Sequence, residues 1–188
     1  MGWSAHHKTA SRETILLAAA ELFARYGYDA VAIDRVMAQA GMTRGAFYAH
    51  FTSKSDLYAQ AMLLAGQRLV AHSLHLGMNF EEFVCTYLTP GQLAMAPLAC
   101  PLACLVTDVA PREERVKIVY GQLLAGFVSH LQRLNPRLTQ ARAAACASSL
   151  IGAQVVARAV HTQELAKNIL LSAQHTILEH FADNKNEA

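Results

Sequence analysis

The sequence predicts an all-α chain: a small three-helix unit followed by a larger helical bundle, about nine helices in all. Three observations carry this. Apolar residues recur three and four positions apart over most of the 188 residues, the spacing of helices with one buried face. No run alternates apolar and polar residues as a half-buried strand would. Glycine, proline and capping residues fall at the ends of the periodic stretches. With 53% apolar and 16% charged residues, the chain can build a core and has much helix surface to bury, part of it against a second copy.

The elements follow in order. A first helix is expected over residues 11–26, with Ile15, Ala19, Leu22, Phe23 and Tyr26 on one face and Gly27 ending it. A second covers residues 33–40 and stops at Gly41. Thr43 is placed to cap a third that ends near Phe51. Ser53 caps a long fourth helix over residues 54–76, with Asp56 at capping-box spacing, and Gly77 closes it. Asn79 and Glu82 repeat that spacing before a helix ending near Tyr87, and Thr89-Pro90-Gly91 breaks it. Pro101 opens a helix to about Val109, and Pro111 opens another to about Leu134, with Glu113 and Glu114 in its first turn. Two last helices cover residues 139–160 and 163–181.

Charge alone names no partner. The net charge is +2, and residues 1–60 carry six basic against five acidic side chains. A nucleic-acid reading must therefore rest on where charges sit. No carboxylate pair, nucleophile–base set or phosphate loop stands out, so neither enzymatic activity nor a cofactor is expected. The apolar run at residues 93–106 is interrupted by Pro97 and Pro101, and no secretory leader stands out. A cytoplasmic chain with no membrane contact and with reduced thiols is expected.

Two short helices meeting across Gly41-Met42-Thr43 have the layout of a helix-turn-helix, over about residues 32–51. The second would be the recognition helix: Phe47 and Phe51 face inward, and Arg44, Ala46, Tyr48 and Ala49 face outward. Small outward residues let a helix approach a groove closely, and Arg44 can reach a base edge or a phosphate. Tyr48 and Lys54 can donate to phosphates. The string Gly41-Met42-Thr43-Arg44-Gly45-Ala46-Phe47-Tyr48-Ala49-His50-Phe51-Thr52-Ser53-Lys54-Ser55-Asp56-Leu57-Tyr58 closely resembles the signature of the TetR family of regulators. So does the lead-in Ile15-Leu16-Leu17-Ala18-Ala19-Ala20-Glu21-Leu22-Phe23 followed by Gly27-Tyr28.

The resemblance implies a homodimeric transcriptional repressor that binds a palindromic double-stranded DNA operator and is released by a small-molecule effector. A DNA-binding domain would occupy residues 1–53 and a ligand-binding and dimerisation domain residues 54–188. By the family pattern Thr43, Arg44, Gly45 and Ala46 lie at the major groove, and Tyr48, His50 and Lys54 touch the backbone. One departure stands out. The family usually has Ser or Thr just before the second helix, where this chain has Ala32, so that cap and its phosphate contact are missing and Arg35 is a candidate to replace the contact.

Candidate linings for an effector pocket among helices four to eight are Leu64, Phe80, Phe83, Tyr87, Met95, Cys100, Cys104, Tyr120 and Phe127, which suit a mostly apolar or aromatic ligand. Small and apolar residues of the last two helices, Ser148, Ser149, Gly152, Ala153, Val156, Ala173 and Ile177, suit half of an intermolecular four-helix bundle. Cys100 and Cys104 share a helix face at a helix start, where thiols can be activated, so a thiol-based redox or electrophile sensor is the alternative input. The nine histidines are scattered and no metal site is expected.

Overall fold

The computed structural model describes residues 5–90 and 100–182, with side chains from residue 8 onward; Met95 lies outside them. The described residues form ten helices and no strand: α1 (Ala5–Ala30), α2 (Ile33–Gln39), α3 (Arg44–Phe47), α4 (Lys54–His75), α5 (Phe80–Tyr87), α6 (Pro101–Cys104), α7 (Val106–Val109), α8 (Glu114–Leu134), α9 (Gln140–Ala159) and α10 (Gln163–Phe181).

The expected caps explain most helix ends. Gly27 breaks α1 with φ of 76° and ψ of 171°, and Gly41 and Gly77 also take positive φ. The Ser53 hydroxyl accepts from the Asp56 N–H at 3.0 Å. The Asp56 carboxylate answers one residue earlier than a capping box would, accepting from the Thr52 N–H and hydroxyl at 3.0 and 3.1 Å. Asn79 and Glu82 do form a full capping box.

Three local expectations differ. Thr43 sits at the α3 N-cap without a side-chain hydrogen bond, and α3 ends at Phe47; successive turns carry the backbone on to Phe51. The helix after Pro111 starts only at Glu114, because Glu113 is extended. The helix after Pro101 is split at Leu105 (φ −113°, ψ 3°) into α6 and α7. The split has a packing cause: Leu102 faces one core, while Leu105 and Val109 face another.

Those two cores organise the molecule. The first joins Ile15, Leu22 and Phe23 of α1, Val36 and Met37 of α2, Phe47 of α3, and Leu57, Tyr58 and Met62 of α4. The second joins Phe80, Phe83 and Tyr87 of α5, Phe127 and Leu131 of α8, Cys146 and Leu150 of α9, and Leu170 and Ile177 of α10. Helix α4 packs on α1 at one end and runs alongside α8, so one rigid element spans both cores.

Candidate DNA-binding face and effector cleft

Helix α3 is held by its aromatics. Phe47 and Phe51 are buried, with ring centroids 5.7 Å apart, so the helix is clamped to the first core by its inner side. That leaves Thr43, Arg44, Gly45 and Tyr48 exposed and Ala46 and His50 half-buried. Tyr48 is 65% exposed and braced edge-on by Phe47 at 5.1 Å, so its hydroxyl stands clear of the protein. The expected groove-facing residues are thus brought together on one surface.

Several cations on this surface already have partners. Arg44 Nη1 lies 3.0 Å from Asp34 Oδ2, both side chains exposed. Asp34 is thereby occupied by Arg44, and Ala32 caps α2 with no side-chain bond. The Arg35 guanidinium stacks over the Tyr26 ring at 4.0 Å, and Arg25 lies 5.2 Å from the same ring. The Lys54 ammonium sits over the Tyr28 ring at 4.3 Å. Burial lowers the Lys54 pKa, with Asp29 opposing and Arg112 assisting.

The joint between the cores is polar and built from residues far apart in sequence. The Tyr28 N–H donates to Asp108 Oδ2 at 2.9 Å, and Arg112 grips the Asp29 carboxylate through two nitrogens at 2.6 and 3.1 Å. The Tyr28 hydroxyl, Ser55 and Glu113 form a chain at 2.9 and 2.8 Å. Arg115 reaches Asp56 at 2.6 Å. Burial alone would raise the Asp56 carboxyl, but the Thr52 N–H, the Gln60 amide, the Thr52 hydroxyl and the Arg115 cation outweigh it and hold it below the ordinary range. No local sequence pattern marks these contacts.

The expected pocket residues divide. Phe80, Phe83, Tyr87, Cys100 and Phe127 are buried in the second core, where the aromatic rings pack on one another. Cys104 and Leu64 pack against the first core, and Tyr120 touches both while donating to the Leu102 carbonyl at 2.7 Å. The open space lies beside them. A cleft of about 440 Å³ runs between α4, α6 and α8 and takes Cys100 and Phe127 as part of its wall, with Gly66, Val70, Leu123 and Arg133 opposite and around them. Sequence periodicity pointed to the aromatic core and missed the α4 face that borders the cleft.

Burial disfavours the thiolate at Cys100, Cys104 and Cys146. Burial pushes Cys100 up, Cys104 up to about 11 and Cys146 up to about 12. The thiolate is the reactive form, so a raised pKa lowers its share at these three positions. Among the described residues no group of His, Cys, Asp and Glu side chains could hold a metal ion, and no helix is long and apolar enough to cross a membrane.

Of the residues expected at a dimer interface, Ser148, Ser149 and Val156 are exposed and Gly152 and Ala173 half-buried, whereas Ala153 and Ile177 point into the protomer's own core. The outward faces of α9 and α10 also carry Leu165 and Leu171, 42% and 47% exposed.

Residues 15–61, which contain α2, α3 and their buried anchors, match the family model described as "Bacterial regulatory proteins, tetR family". Over these residues the chain is similar to the TetR family. Two relatives match part of this chain. An uncharacterized HTH-type transcriptional regulator of Bacillus subtilis is 34% identical over 71 residues, which is 38% of this chain and 23% of the relative. An HTH-type transcriptional repressor of Mycobacterium tuberculosis is 42% identical over 55 residues, 29% of each chain. The chain thus spans less than a third of the length of these relatives. The fold likeness is wider: a TetR-family transcriptional regulator from Agrobacterium tumefaciens superposes with a TM-score of 0.69 at 22% identity, covering 90% of this chain and 98% of that one.

Proposed function

We propose that this chain is a DNA-binding transcriptional repressor of the TetR family that acts in the cytoplasm as a homodimer on a palindromic operator and is released by a small, mostly apolar effector. One observation carries the reading: α3 is pinned by buried Phe47 and Phe51 so that exposed Thr43, Arg44, Gly45 and Tyr48, with half-buried Ala46 between them, form one surface ending in a free phenol. Such a surface fits a major groove, with Arg44 at base edges or phosphates and Tyr48, His50 and Lys54 on the backbone. Arg35, stacked on exposed Tyr26, is a further backbone donor. Two copies must place these helices roughly 34–36 Å apart or at a related spacing. The outward faces of α9 and α10, with Ser148, Ser149, Gly152, Val156 and Leu171, support the pairing; Ala173 lies at its edge. The cleft between α4, α6 and α8 is the proposed effector site, and α4, which borders it and enters the first core, is the proposed lever. An effector acts to the extent that it prefers the non-binding arrangement.

Titration of the purified chain with the DNA upstream of its own gene, at two salt concentrations, tests the reading. Saturable binding to one palindromic segment is expected, weaker at high salt. Tyr48→Ala should weaken it about tenfold or more, on the order of 1.4 kcal/mol. Equal binding by wild type and Tyr48→Ala would remove α3 from the interface.

A second expectation concerns Asp34. Its carboxylate holds Arg44 in the free protein and would lie near phosphates in the complex. An exposed pair of this kind is worth about 0.2–1 kcal/mol. Asp34→Ala should therefore tighten DNA binding by roughly 1.4- to fivefold. Weaker binding in that variant would mean that Asp34 orients Arg44 rather than competes for it.

A further inference from the structure

The start of α1 lies against the recognition helix. A concavity of about 570 Å³ is walled by Lys8 and Ser11 on one side and by Gly41, Met42, Thr43, Ala46, Ala49 and His50 on the other. Thr43 and Ala46 are two of the groove-facing residues, so the hollow is continuous with the proposed DNA surface. Arg12 is one turn beyond Lys8, on the same face of α1, and its guanidinium lies 5.6 Å from the centre of the Phe51 ring. Lys8 and Arg12 are exposed, and neither has a carboxylate partner among the described residues. Their charges are felt locally: burial lowers the His50 pKa first, and the Lys8 and Arg12 cations lower it further. The Lys8 cation and two hydroxyls, those of Ser11 and Thr43, therefore line a hollow whose wall holds no acidic side chain, and Arg12 lies one turn along α1 from it. Both cations lie outside the segment that carries the family match, residues 15–61.

We infer that Lys8, Ser11 and Arg12 form a second phosphate-binding element, which grips the DNA backbone next to the groove entered by α3. The inference rests on the proposed DNA-binding role. The cations are mutually repulsive and lack a protein counterion, which is the electrostatic condition a polyanion relieves. The small side chains of Ala46 and Ala49 leave room for a sugar–phosphate strand between α1 and α3. Lysine and arginine at such a position supply affinity and register and no base information.

The test uses the full chain and two probes: a duplex carrying the segment upstream of its own gene, and a mixed-sequence duplex of the same length. Each phosphate contact contributes about 0.9 to the slope of log affinity against log salt. Lys8→Ala should lower that slope by about one and Lys8→Ala with Arg12→Gln by about two, with the same fractional loss of affinity on both probes. Lys8→Arg with Arg12→Lys should keep the wild-type slope. Lys8 stacks on no ring, so its single variant remains informative if loss of Arg12 disturbs Phe51; thermal melts of each variant check this. An unchanged slope in a folded Lys8→Ala chain would overturn the inference, as would a loss confined to the upstream probe, which would signal base reading. Absence of binding by the wild type to either probe would overturn the DNA-binding role itself, and the phosphate element with it.

Discussion

Gly27→Ala should cost roughly 2–4 kcal/mol of stability, read as a lower urea midpoint at unchanged slope. Two independent terms add here. Gly27 has φ of 76° with ψ of 171°, a region open essentially to glycine alone, and forcing another residue there costs about 1–3 kcal/mol. A Cβ at this position would also meet Asp108 Oδ2 at 2.9 Å. That carboxylate accepts the Tyr28 N–H, so moving it aside sacrifices a charge-assisted hydrogen bond of roughly 1 kcal/mol or more. A double-mutant cycle separates the terms. Asp108→Ala relieves the clash and leaves the backbone strain, so Gly27→Ala should cost less on the Asp108→Ala background, with a coupling of at least about 0.5 kcal/mol. Additive losses would mean that the carboxylate yields freely and that the backbone carries the whole effect. The site matters for more than folding. Tyr28 and Asp29 follow Gly27 directly and meet Asp108, Arg112 and, through Ser55, Glu113. A shift of α7 and α8 would therefore be felt at this joint as well as along α4.

What was legible in the sequence was legible because it is local. Gly27, Gly41 and Gly77 end helices through their own backbone freedom, and Asn79 with Glu82 closes a box within one turn. The inward and outward faces of α3 follow from a few residues whose aromatics can point only one way. The remaining differences come from contacts across long sequence separations. Ala153 and Ile177 read as interface residues because α9 and α10 carry small and apolar side chains around much of their circumference, and a second copy and the protomer's own core recruit the same chemistry. Phe80, Phe83 and Tyr87 read as pocket walls for a similar reason: aromatic residues at helical spacing fill a core as well as they line a cavity. The split at Leu105 required two cores competing for neighbouring leucines. Tyr28 and Asp108, or Lys8 and His50, carry no mark in sequence of belonging together.

The chain should lose stability steeply as pH falls from about 6.5 to about 4, and His130 should account for most of one proton of that dependence. His130 is fully buried between α4 and α8. Its Nε2 lies 3.1 Å from the Ser73 hydroxyl and its Nδ1 3.4 Å from Arg133 Nη2, and its ring sits edge-on to Phe83 at 5.0 Å. A guanidinium can only donate, so Nδ1 is the acceptor and the Nε2 proton goes to Ser73. A second ring proton would point a cation at a cation inside the protein. Burial first, and then Arg133, push the His130 pKa down to about 4. The unfolded chain holds this imidazole near its ordinary value of about 6.5. Between those values the unfolded state binds one proton more, so stability is complete above about 6.5 and declines by about 1.4 kcal/mol per pH unit below it, reaching roughly 3 kcal/mol at pH 4. Asp56 works in the same direction at lower pH, since its carboxyl is also held below the ordinary range, and so does not mimic the effect above pH 5. His130→Gln keeps a donor for Ser73 and an acceptor for Arg133 while removing the titration. Denaturant unfolding followed from pH 7 to pH 4 should therefore show a slope shallower by about one proton in that variant, and equal slopes would exclude His130 as the titrating group. The bridge ties Ser73 of α4 to α8 at the Arg133 end of the cleft, so protonation should open the structure there first. Amide exchange near Ser73 and His130 should accelerate at pH 5 in the wild type and do so less in His130→Gln.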